Sequence, residues 1–372
     1  MPDPLPVIGH VNKFIGRDRG GVEAVLDAEV RELARRGGRV RVLACRQWRS
    51  PARPAPAGVA VTELAAPVIA SMPVRAGFAR ALRQLEHQCD LLHFHLPFPL
   101  AEAAALRMEK RIPWVATHHA GIHGHGQLGR WMQHTVTRPF LERVDAILVG
   151  APPNARVASL AGLGDRVQVV PFGFDLRRYL ACRRRPGGRR ILFLGRLVPY
   201  KGLDVLLHAM VGLDARLEIV GDGPERGRLE RLARRLNLSA AFAGHLPDAA
   251  LPGRFAAAQV FVLPSRNAAE TFGVAQVEAM ATGLPVVNTA LGTGTDWVSP
   301  DGETGLTVAP NDPAALRAAL ARMLDDHRLR FACGQRARER ARELFTIERH
   351  GAALAGIYAG LLRRQARSQG AA

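Results

Sequence analysis

Two glutamates within one segment carry the strongest chemical signal in the sequence. Glu270 and Glu278 lie eight positions apart, with Phe272 and Gly273 between them. Apolar residues recur there at three- and four-residue steps, which predicts a helix over 272–282 with Glu270 at its N-terminal edge. A carboxylate beside an apolar helix face is costly unless donors satisfy it, and a ribose diol supplies two. The backbone N–H groups at the helix start suit phosphates, so the segment favours a sugar-nucleotide site.

Two cations after a predicted strand suit the diphosphate of such a ligand. Arg196 and Lys201 lie in the segment 195–202, which follows a strand predicted over 190–194. A departing diphosphate gains negative charge, and two fixed cations stabilise that charge without a metal. The alternative is a pair of solvated cations at a turn. We expect Lys201 to be exposed and to contribute little to folding stability.

A glycine pair offers a second, weaker phosphate signal. Gly20 and Gly21 end a loop that follows the first predicted strand and precedes a helix. Paired glycines let backbone N–H groups approach a phosphate closely. The loop is not a full G-x-G-x-x-G pattern, so a purely structural turn is the alternative.

Four histidines fall in the segment 117–126, after another predicted strand. No carboxylate accompanies them, so we predict no metal site there. One histidine that donates to a sugar hydroxyl is better supported. His93 and His95 alternate with Phe94 and therefore share one face of a strand, where a structural role is favoured.

Apolar runs typical of strands alternate with amphipathic helical patterns along the whole chain, which predicts an α/β fold with two Rossmann-like, doubly wound domains. The predicted strands span 6–10, 39–44, 59–64, 91–95, 114–118, 146–149, 167–170, 190–194, 216–220, 241–243, 260–263, 285–288 and 305–308. The predicted helices span 21–36, 73–88, 100–111, 128–142, 202–211, 225–237, 248–257, 272–282, 313–324 and 327–344.

The domain boundaries follow from a basic, turn-rich stretch over 173–188, which we predict to be a linker. We assign residues 1–172 to an N-terminal Rossmann-like domain and 189–350 to a C-terminal Rossmann-like domain. Residues 351–372 are predicted to form a C-terminal helix and tail that could pack back on the first domain. Ligands of open α/β sheets bind beyond the C-terminal strand ends, so we expect the site in a cleft between the two sheets.

The bulk composition excludes several classes of protein. The chain has 372 residues, 48% of them hydrophobic, which supports two domains. Its four cysteines form no C-x-x-C pair, which favours reduced thiols in a cytoplasmic protein. The N-terminal segment lacks the pattern of a signal peptide, and no apolar run approaches the roughly 18–20 residues of a membrane span.

The formal net charge of +18 favours an anionic partner, and an arginine-rich composition without a binding role is the alternative. Arg75, Arg80 and Arg83 could contact anionic lipid head groups, and a plain solvated face is the alternative. A nucleic-acid-binding protein is a rival interpretation of the charge. No helix-turn-helix, RNP-like or Cys/His finger pattern supports it, so we expect no nucleic-acid partner.

With these motifs identified, the chain resembles glycosyltransferase family 4, the "glycosyl transferases group 1" family. The segment 195–202 and the glutamate pair with its flanks carry the resemblance, which covers nearly the whole length and is strongest over 191–310. It implies the GT-B architecture, with two Rossmann-like domains facing across a cleft. In that architecture residues 1–172 would bind the acceptor and residues 189–350 the nucleotide sugar. It also implies a nucleotide-diphosphate sugar donor, no metal or other cofactor, and transfer with retention of anomeric configuration.

The resemblance also implies roles for single residues. Arg196 and Lys201 would hold the diphosphate, and Glu270 would contact the donor sugar. His119, with His118 as second choice, would contact that sugar from the first domain. The remaining donor contacts implied are Phe272 and Gly273 through their N–H groups, Glu278 on the ribose, and Gly20 and Gly21 against the phosphates.

A narrower similarity is to bacterial mannosyl- and rhamnosyltransferases of surface-polysaccharide biosynthesis, carried by the segments 96–100, 287–294 and 297–308. It implies a hexosyltransferase that uses a GDP-sugar and a lipid-linked glycan acceptor, in lipopolysaccharide or exopolysaccharide biosynthesis, peripherally bound to the inner face of the cytoplasmic membrane. The alternatives are a UDP-glucose or UDP-N-acetylglucosamine transferase, and a regulatory protein on an inactive transferase scaffold.

Overall fold

The computed structural model describes residues 6–16, 20–51, 54–69, 72–119, 126–185 and 187–370. The chain divides into two compact units, the first comprising Met1–Phe174 with Ile347–Ala372 and the second Asp175–Thr346. The sequence-based boundaries fall at residues 172, 188 and 350, so the division of the structure lies close to them but leaves no separate linker.

The first unit is built on strands that are mostly parallel. They are β1 (Val7–Asn12), β2 (Arg39–Gln47), β3 (Val59–Ala66), β4 (Val68–Ile69), β5 (Met72–Pro73), β6 (Leu91–Leu96), β7 (Trp114–His118), β8 (Ala146–Val149) and β9 (Val167–Val169). Its helices before the second unit are α1 (Gly21–Arg35), α2 (Phe78–Glu86), α3 (Pro99–Leu106), α4 (Gly126–Met132) and α5 (Arg138–Arg143).

Seven of these strands form one parallel sheet in the order β3-β2-β1-β6-β7-β8-β9. The order reverses between β1 and β6, which is where ligands of doubly wound sheets bind. Hydrophobic clusters cover both faces of the sheet. One cluster contains Phe94, Trp114 and Phe140, and the other contains Leu26, Val30 and Leu148.

The second unit repeats the same architecture. Its strands are β10 (Arg190–Leu194), β11 (Arg216–Val220), β12 (Ala240–Gly244), β13 (Val260–Leu263), β14 (Val286–Thr289) and β15 (Gly305–Val308). Its helices are α6 (Arg177–Leu180), α7 (Leu203–Met210), α8 (Arg226–Arg235), α9 (Leu251–Ala257), α10 (Val274–Ala281), α11 (Gly294–Val298), α12 (Pro313–Asp325) and α13 (His327–Leu344).

Six strands form the second sheet, in the order β12-β11-β10-β13-β14-β15, and the order reverses between β10 and β13. The registers recorded between neighbouring strands are parallel. Leu206, Ile219, Val262 and Leu320 belong to the core on one side of this sheet. The predicted doubly wound α/β fold is therefore confirmed in each unit.

The last helix, α14 (Ile347–Gly370), returns to the first unit. Its Leu354, Tyr358 and Leu361 join the core cluster that contains Leu26 and Val30 of α1. A Cβ added at Gly351 would lie 2.6 Å from Cγ of Glu32, so the two helices approach closely at that glycine.

Three local features differ from the sequence-based prediction. The helix predicted over 128–142 is interrupted by a π-helical segment, Gln133–Thr137. The short antiparallel pair β4–β5 was not predicted, because two-residue strands carry no periodicity. The predicted linker contains α6, whose buried Tyr179 is described below. Among the described residues, no helix is both long and apolar enough to cross a membrane.

Candidate active site

The turn after β10 is held by close backbone packing against the turn after β11. Gly221 has φ +126°, and a Cβ added there would lie 2.0 Å from the carbonyl oxygen of Gly195. The N–H of Leu197 donates to the carbonyl of Asp222 at 2.9 Å. Only glycine permits this approach, so the segment with Arg196 has a defined path at the strand end.

Lys201 and Glu270 form the central contact of the second unit. Nζ of Lys201 lies 2.5 Å from Oε2 of Glu270, and Oγ of Ser265 donates to the same oxygen at 2.9 Å. Their side chains are only 12% and 8% exposed. Lys201 follows β10 and Glu270 follows β13, and these two strands are neighbours. The pair therefore lies at the carboxyl edge where the strand order reverses.

This contact corrects the expectation of an exposed lysine. Burial by itself lowers the pKa of Lys201, but the negative charge of Glu270 and its hydrogen bond outweigh burial, so the pKa of Lys201 is raised. Lys201 is thus held as a cation. Removing it would leave a buried carboxylate without a counter-ion, which is costly to the fold.

The position of Glu270 is fixed through its backbone as well. The hydroxyls of Thr293 and Thr295 donate to the carbonyl of Glu270 at 2.8 and 3.3 Å. Asp296 in turn accepts from the N–H groups of Leu291 and Gly292. The loop after β14 therefore holds the loop after β13.

The helix with the second glutamate begins later than predicted. It is α10, which starts at Val274, so Glu270 and Phe272 precede it rather than form its first turn. Gly273 is the residue before the helix and has φ +74°, and a Cβ there would lie 2.7 Å from Cδ2 of Leu263. The left-handed conformation of Gly273 sets the helix start. The ring of Phe272 packs edge-on against Phe345 at 5.7 Å.

Glu278 lies on α10 and is 4% exposed. Its Oε1 accepts a hydrogen bond of 3.0 Å from the hydroxyl of Tyr179. Tyr179 is buried in α6 and stacks edge-on against Phe255. Sequence reasoning missed Tyr179, because a short helix inside a basic, turn-rich stretch gives no periodic signal.

The predicted glycine pair lies at the start of α1. Gly20 precedes the helix in an extended conformation, Gly21 is its first residue, and both are exposed. Glu23 lies in the first turn, and a Cβ added at Gly20 would be 3.0 Å from its Oε2. The glycines thus occupy a helix N-terminus after β1, with an acidic side chain beside them. Residues 17–19 of the same loop lie outside the described residues.

His118 is the last residue of β7 and His119 follows that strand, as the sequence predicted, and both are buried. Nε2 of His119 lies 3.1 Å from Nδ1 of His95, and its ring stacks on Phe172 at 5.0 Å. Nε2 of His118 lies 3.3 Å from Oγ of Ser159. Burial lowers the pKa of His119 to about 3, so its imidazole is neutral. His123 and His125 of the same histidine-rich segment lie outside the described residues.

The structure therefore brings together part of the predicted set. Lys201 and Glu270 are in contact, and Arg196, which is exposed, lies in the turn that leads to Lys201. Phe272 and Gly273 lie two and three residues after Glu270, and Glu278 lies about one turn into α10. Gly20, Gly21 and His119 belong to the other unit. Chemically, the second unit presents a fixed cation, a carboxylate and an exposed guanidinium at one sheet edge, an arrangement that suits an anionic ligand with hydroxyl groups.

Two family models match this chain, one in each half. The model "Glycosyltransferase Family 4" matches residues 19–178, and "Glycosyl transferases group 1" matches residues 183–340. The chain belongs to this glycosyltransferase family and is a hexosyltransferase of the GT-B fold class.

The curated relatives that are similar to this chain include rhamnosyl- and mannosyltransferases. D-rhamnosyltransferase WbpZ of Pseudomonas aeruginosa is 31% identical over 72% of this chain and 72% of its own length. O-antigen chain mannosyltransferase C of Escherichia coli is 29% identical over 79% and 81%. A GDP-mannose-dependent alpha-(1-6)-phosphatidylinositol monomannoside mannosyltransferase of Mycolicibacterium smegmatis is 30% identical over 94% and 97%.

A solved structure supports the fold over nearly the full chain. Sucrose-phosphate synthase from Thermosynechococcus elongatus is similar with a TM-score of 0.80 at 22% identity, covering 96% of this chain and 100% of that one.

The curated relatives bear on a separate prediction. Their names, rhamnosyltransferase and mannosyltransferase, agree with the sequence-based expectation of a transferase of polysaccharide biosynthesis.

Proposed function

We propose that this chain is a retaining hexosyltransferase that moves mannose or a rhamnose-type deoxyhexose from a GDP-sugar to a lipid-linked glycan. The proposed setting is lipopolysaccharide or exopolysaccharide biosynthesis. The observation that carries the proposal is the buried Lys201–Glu270 pair at the switch point of the second sheet. The names of the curated relatives support the choice of sugar.

The diphosphate is proposed to bind Lys201 and Arg196. Lys201 is a held cation that points to the sheet edge, and Arg196 offers a planar set of donors in the adjoining turn. As the bond between the anomeric carbon and the diphosphate oxygen breaks, both electrons leave with the diphosphate. The two cations offset that charge, so no metal is required at this site.

The acceptor hydroxyl is proposed to attack the same face of the anomeric carbon from which the diphosphate leaves. Its oxygen forms the new bond, and its proton passes to the departing phosphate oxygen. Glu270 accepts hydrogen bonds from hydroxyls of the donor sugar, and the N–H groups at Phe272 and Gly273 support the same end of the donor. Glu278 accepts from the ribose, with Tyr179 holding its carboxylate.

Gly20, Gly21 and His119 are proposed as contacts from the first unit, on the family resemblance. Gly20 and Gly21 precede and begin a 15-residue helix, whose positive end favours phosphate. His119 is neutral and is held by His95, so it is suited to hydrogen-bonding a hydroxyl rather than to pairing with a charge.

Donor screening tests the proposal directly. The purified chain is incubated with GDP-mannose, GDP-rhamnose, UDP-glucose or UDP-N-acetylglucosamine, and binding is measured by calorimetry alongside transfer to a lipid-linked glycan extract. We expect binding and turnover with a GDP-sugar, no increase with added Mg²⁺ or Mn²⁺, and an axial-to-axial anomeric outcome by NMR. Turnover with UDP-sugars alone would show that the donor is not a GDP-sugar. A product of inverted anomeric configuration would overturn the retaining mechanism.

Peripheral attachment to an anionic membrane face is proposed from a basic surface near α2. Arg75, Arg80 and Arg83 are exposed there, and Val74 is 50% exposed beside them. Basic and apolar side chains together favour an anionic bilayer interface. We expect sedimentation with phosphatidylglycerol vesicles but not with phosphatidylcholine vesicles, and a loss of sedimentation in Arg80→Glu/Arg83→Glu. Equal sedimentation of that variant would exclude this surface.

A further inference from the structure

Four side chains converge in the interior of the first unit, and none of them is proposed to contact the donor or the acceptor. His10 lies on β1, Glu29 on α1, and His93 and His95 on β6. One potential ligand atom from each lies within 4.8 Å of the others, and all four residues are buried. His10 pairs in register with His93, so the three imidazoles project from the same face of two neighbouring strands toward α1.

Four of the six separations within this cluster lie near those of a tetrahedral metal site, and the other two are at most 4.8 Å. Nδ1 of His10 and Nε2 of His95 are 3.1 Å apart. Oε2 of Glu29 lies 3.5 Å from Nε2 of His95 and 3.9 Å from Nδ1 of both His10 and His93. Metal–ligand bonds of about 2.0–2.2 Å place tetrahedral ligands roughly 3.4 Å from one another. A cation at the centre would therefore need only small movements of these atoms.

The carboxylate supplies an independent indication of a missing partner. Oε2 of Glu29 is buried and has no hydrogen-bond partner among the described residues, although it points at three imidazoles. A buried carboxylate oxygen without a donor is costly. A cation coordinated by this oxygen and the three nitrogens would remove that cost. Nε2 of His10 is likewise without a partner there, and it faces away from the proposed centre.

In three of the four ligands, the atom that does not face the proposed ion has a hydrogen-bond partner, as is usual for metal ligands. Nε2 of His93 lies 2.7 Å from Oγ1 of Thr117, and Nδ1 of His95 lies 3.1 Å from Nε2 of His119. Oε1 of Glu29 lies 2.8 Å from Nε2 of His350. Such outer contacts orient a ligand and fix which nitrogen carries the proton.

We propose that His10, Glu29, His93 and His95 form a buried site for one Zn²⁺ ion. A set of three imidazoles and one carboxylate suits Zn²⁺ and not Mg²⁺ or Ca²⁺, which take oxygen ligands. The ion would join β1, β6 and α1, and through His350 it would also hold α14. This role is structural, and the ion would be linked to the proposed donor contacts through His95, which lies against His119.

Two contacts compete with the ion. Nδ1 of His10 and Nε2 of His95 are hydrogen-bonded to each other at 3.1 Å, and both would have to turn their lone pairs to the metal. The hydroxyl of Tyr358 lies 2.6 Å from Nδ1 of His93, which is the coordinating nitrogen in this arrangement. Binding therefore displaces that hydrogen bond. Tyr358→Phe should therefore raise the affinity for Zn²⁺, and an unchanged affinity would contradict coordination through Nδ1 of His93.

The test is metal analysis of the full chain, purified with an affinity tag that contains no histidine. After treatment with a chelator and dialysis against Zn²⁺, we expect about one equivalent of bound metal by mass spectrometry. With Co²⁺ as the probe, we expect the intense visible absorption of four-coordinate Co²⁺. His95→Gln and Glu29→Gln should lose more affinity than the roughly 10–100-fold that outer-ligand changes cost.

A buried histidine outside the cluster serves as the matched control. His118→Gln should retain the full equivalent of Zn²⁺. A folded wild-type chain that binds no Zn²⁺ or Co²⁺ would overturn the proposal, and so would equal binding by the wild type and both ligand variants. If the ligand variants fail to fold, the wild-type stoichiometry and the Co²⁺ spectrum decide the question by themselves.

Discussion

Both units bury ionisable side chains beside the first strand of a parallel sheet, but the partners of these groups differ. In the first unit, His10 lies among other imidazoles, and burial lowers its pKa to about 3. Burial also raises the pKa of Glu29, although a hydrogen bond from His350 opposes that shift. In the second unit, Glu270 outweighs the effect of burial on Lys201, whose pKa is raised.

The comparison shows that burial alone does not decide whether a side chain is charged. A buried group among neutral partners shifts toward its neutral form, whereas a buried group in contact with an opposite charge keeps its own. The first unit therefore holds neutral imidazoles, which are hydrogen-bonding or metal-binding groups. The second unit holds a cation at a sheet edge, where an anion can bind.

The largest effect is expected from removing the cation. Lys201→Met should lower turnover by about 10²–10³-fold, as loss of a group that stabilises transition-state charge does. It should also lower the free energy of unfolding by about 3–5 kcal/mol, because the Glu270 carboxylate stays buried without a counter-ion. Initial rates at saturating donor and urea unfolding measure the two effects. Turnover like that of the wild type would contradict the diphosphate role.

Two further variants separate stability from catalysis at this pair. Lys201→Met/Glu270→Gln should regain most of the lost stability, since no buried charge remains, but not the turnover. Lys110→Met is the matched control, because its pair with Asp145 is 25% and 33% exposed. It should cost about 1 kcal/mol or less. If Lys201→Met and Lys110→Met lowered the free energy of unfolding by similar amounts, the burial of the Lys201–Glu270 pair would not be the cause of the stability loss.

The tyrosine contacts of the two units provide the next test. Tyr179 donates to the carboxylate of Glu278, whereas Tyr358 contacts the imidazole of His93. Hydrogen bonds to charged groups contribute about 1.5–3 kcal/mol and neutral ones about 0.5–1.5 kcal/mol. Tyr179→Phe should therefore destabilise the metal-free chain more than Tyr358→Phe does in urea unfolding. A larger loss of stability in Tyr358→Phe would contradict the inference that Tyr179 contacts a charged group and Tyr358 a neutral one.

In the first unit, the buried carboxyl of Glu102 should make the folding stability depend on pH. It is fully buried, and burial raises its pKa from 4.5 to about 6 despite hydrogen bonds from Thr137 and the N–H of Phe98. The folded state therefore binds this proton more tightly than the unfolded state does. The resulting stability, about 2 kcal/mol, is fully present below pH 4.5 and is lost as the pH rises through 6.

Comparison with Glu102→Gln isolates this contribution, because other titrating groups act on both proteins. Between pH 4.5 and 7, the unfolding free energy of the wild type should fall by about 2 kcal/mol relative to that of the variant. Parallel pH profiles in urea unfolding would contradict the shift.

The smallest effect is expected at the proposed ribose contact. Glu278→Gln keeps an oxygen that can accept from Tyr179 but loses the charge of the carboxylate. Donor affinity should fall about tenfold, equivalent to about 1.4 kcal/mol, with turnover at saturating donor little changed. Calorimetry with the donor measures the affinity. An unchanged donor affinity would show that Glu278 does not contact the donor.

The sequence by itself determined the alternation of strands and helices and the residues at the carboxyl ends of strands. Apolar runs such as Val260–Leu263 and Ala146–Val149 have the same bounds in the structure, because buried parallel strands are continuously apolar. The motif residues Lys201 and Glu270 were likewise found from their types and spacing, since strand ends and glycine turns are local features.

Only the tertiary structure decided which of these residues meet. Lys201 and Glu270 are 69 positions apart, Tyr179 and Glu278 are 99 apart, and His93 and Tyr358 are 265 apart. Strand order and helix packing bring such pairs together, and no local periodicity records them. The charge of each buried group also depends on these partners, so the neutral histidine cluster and the held lysine followed from the fold.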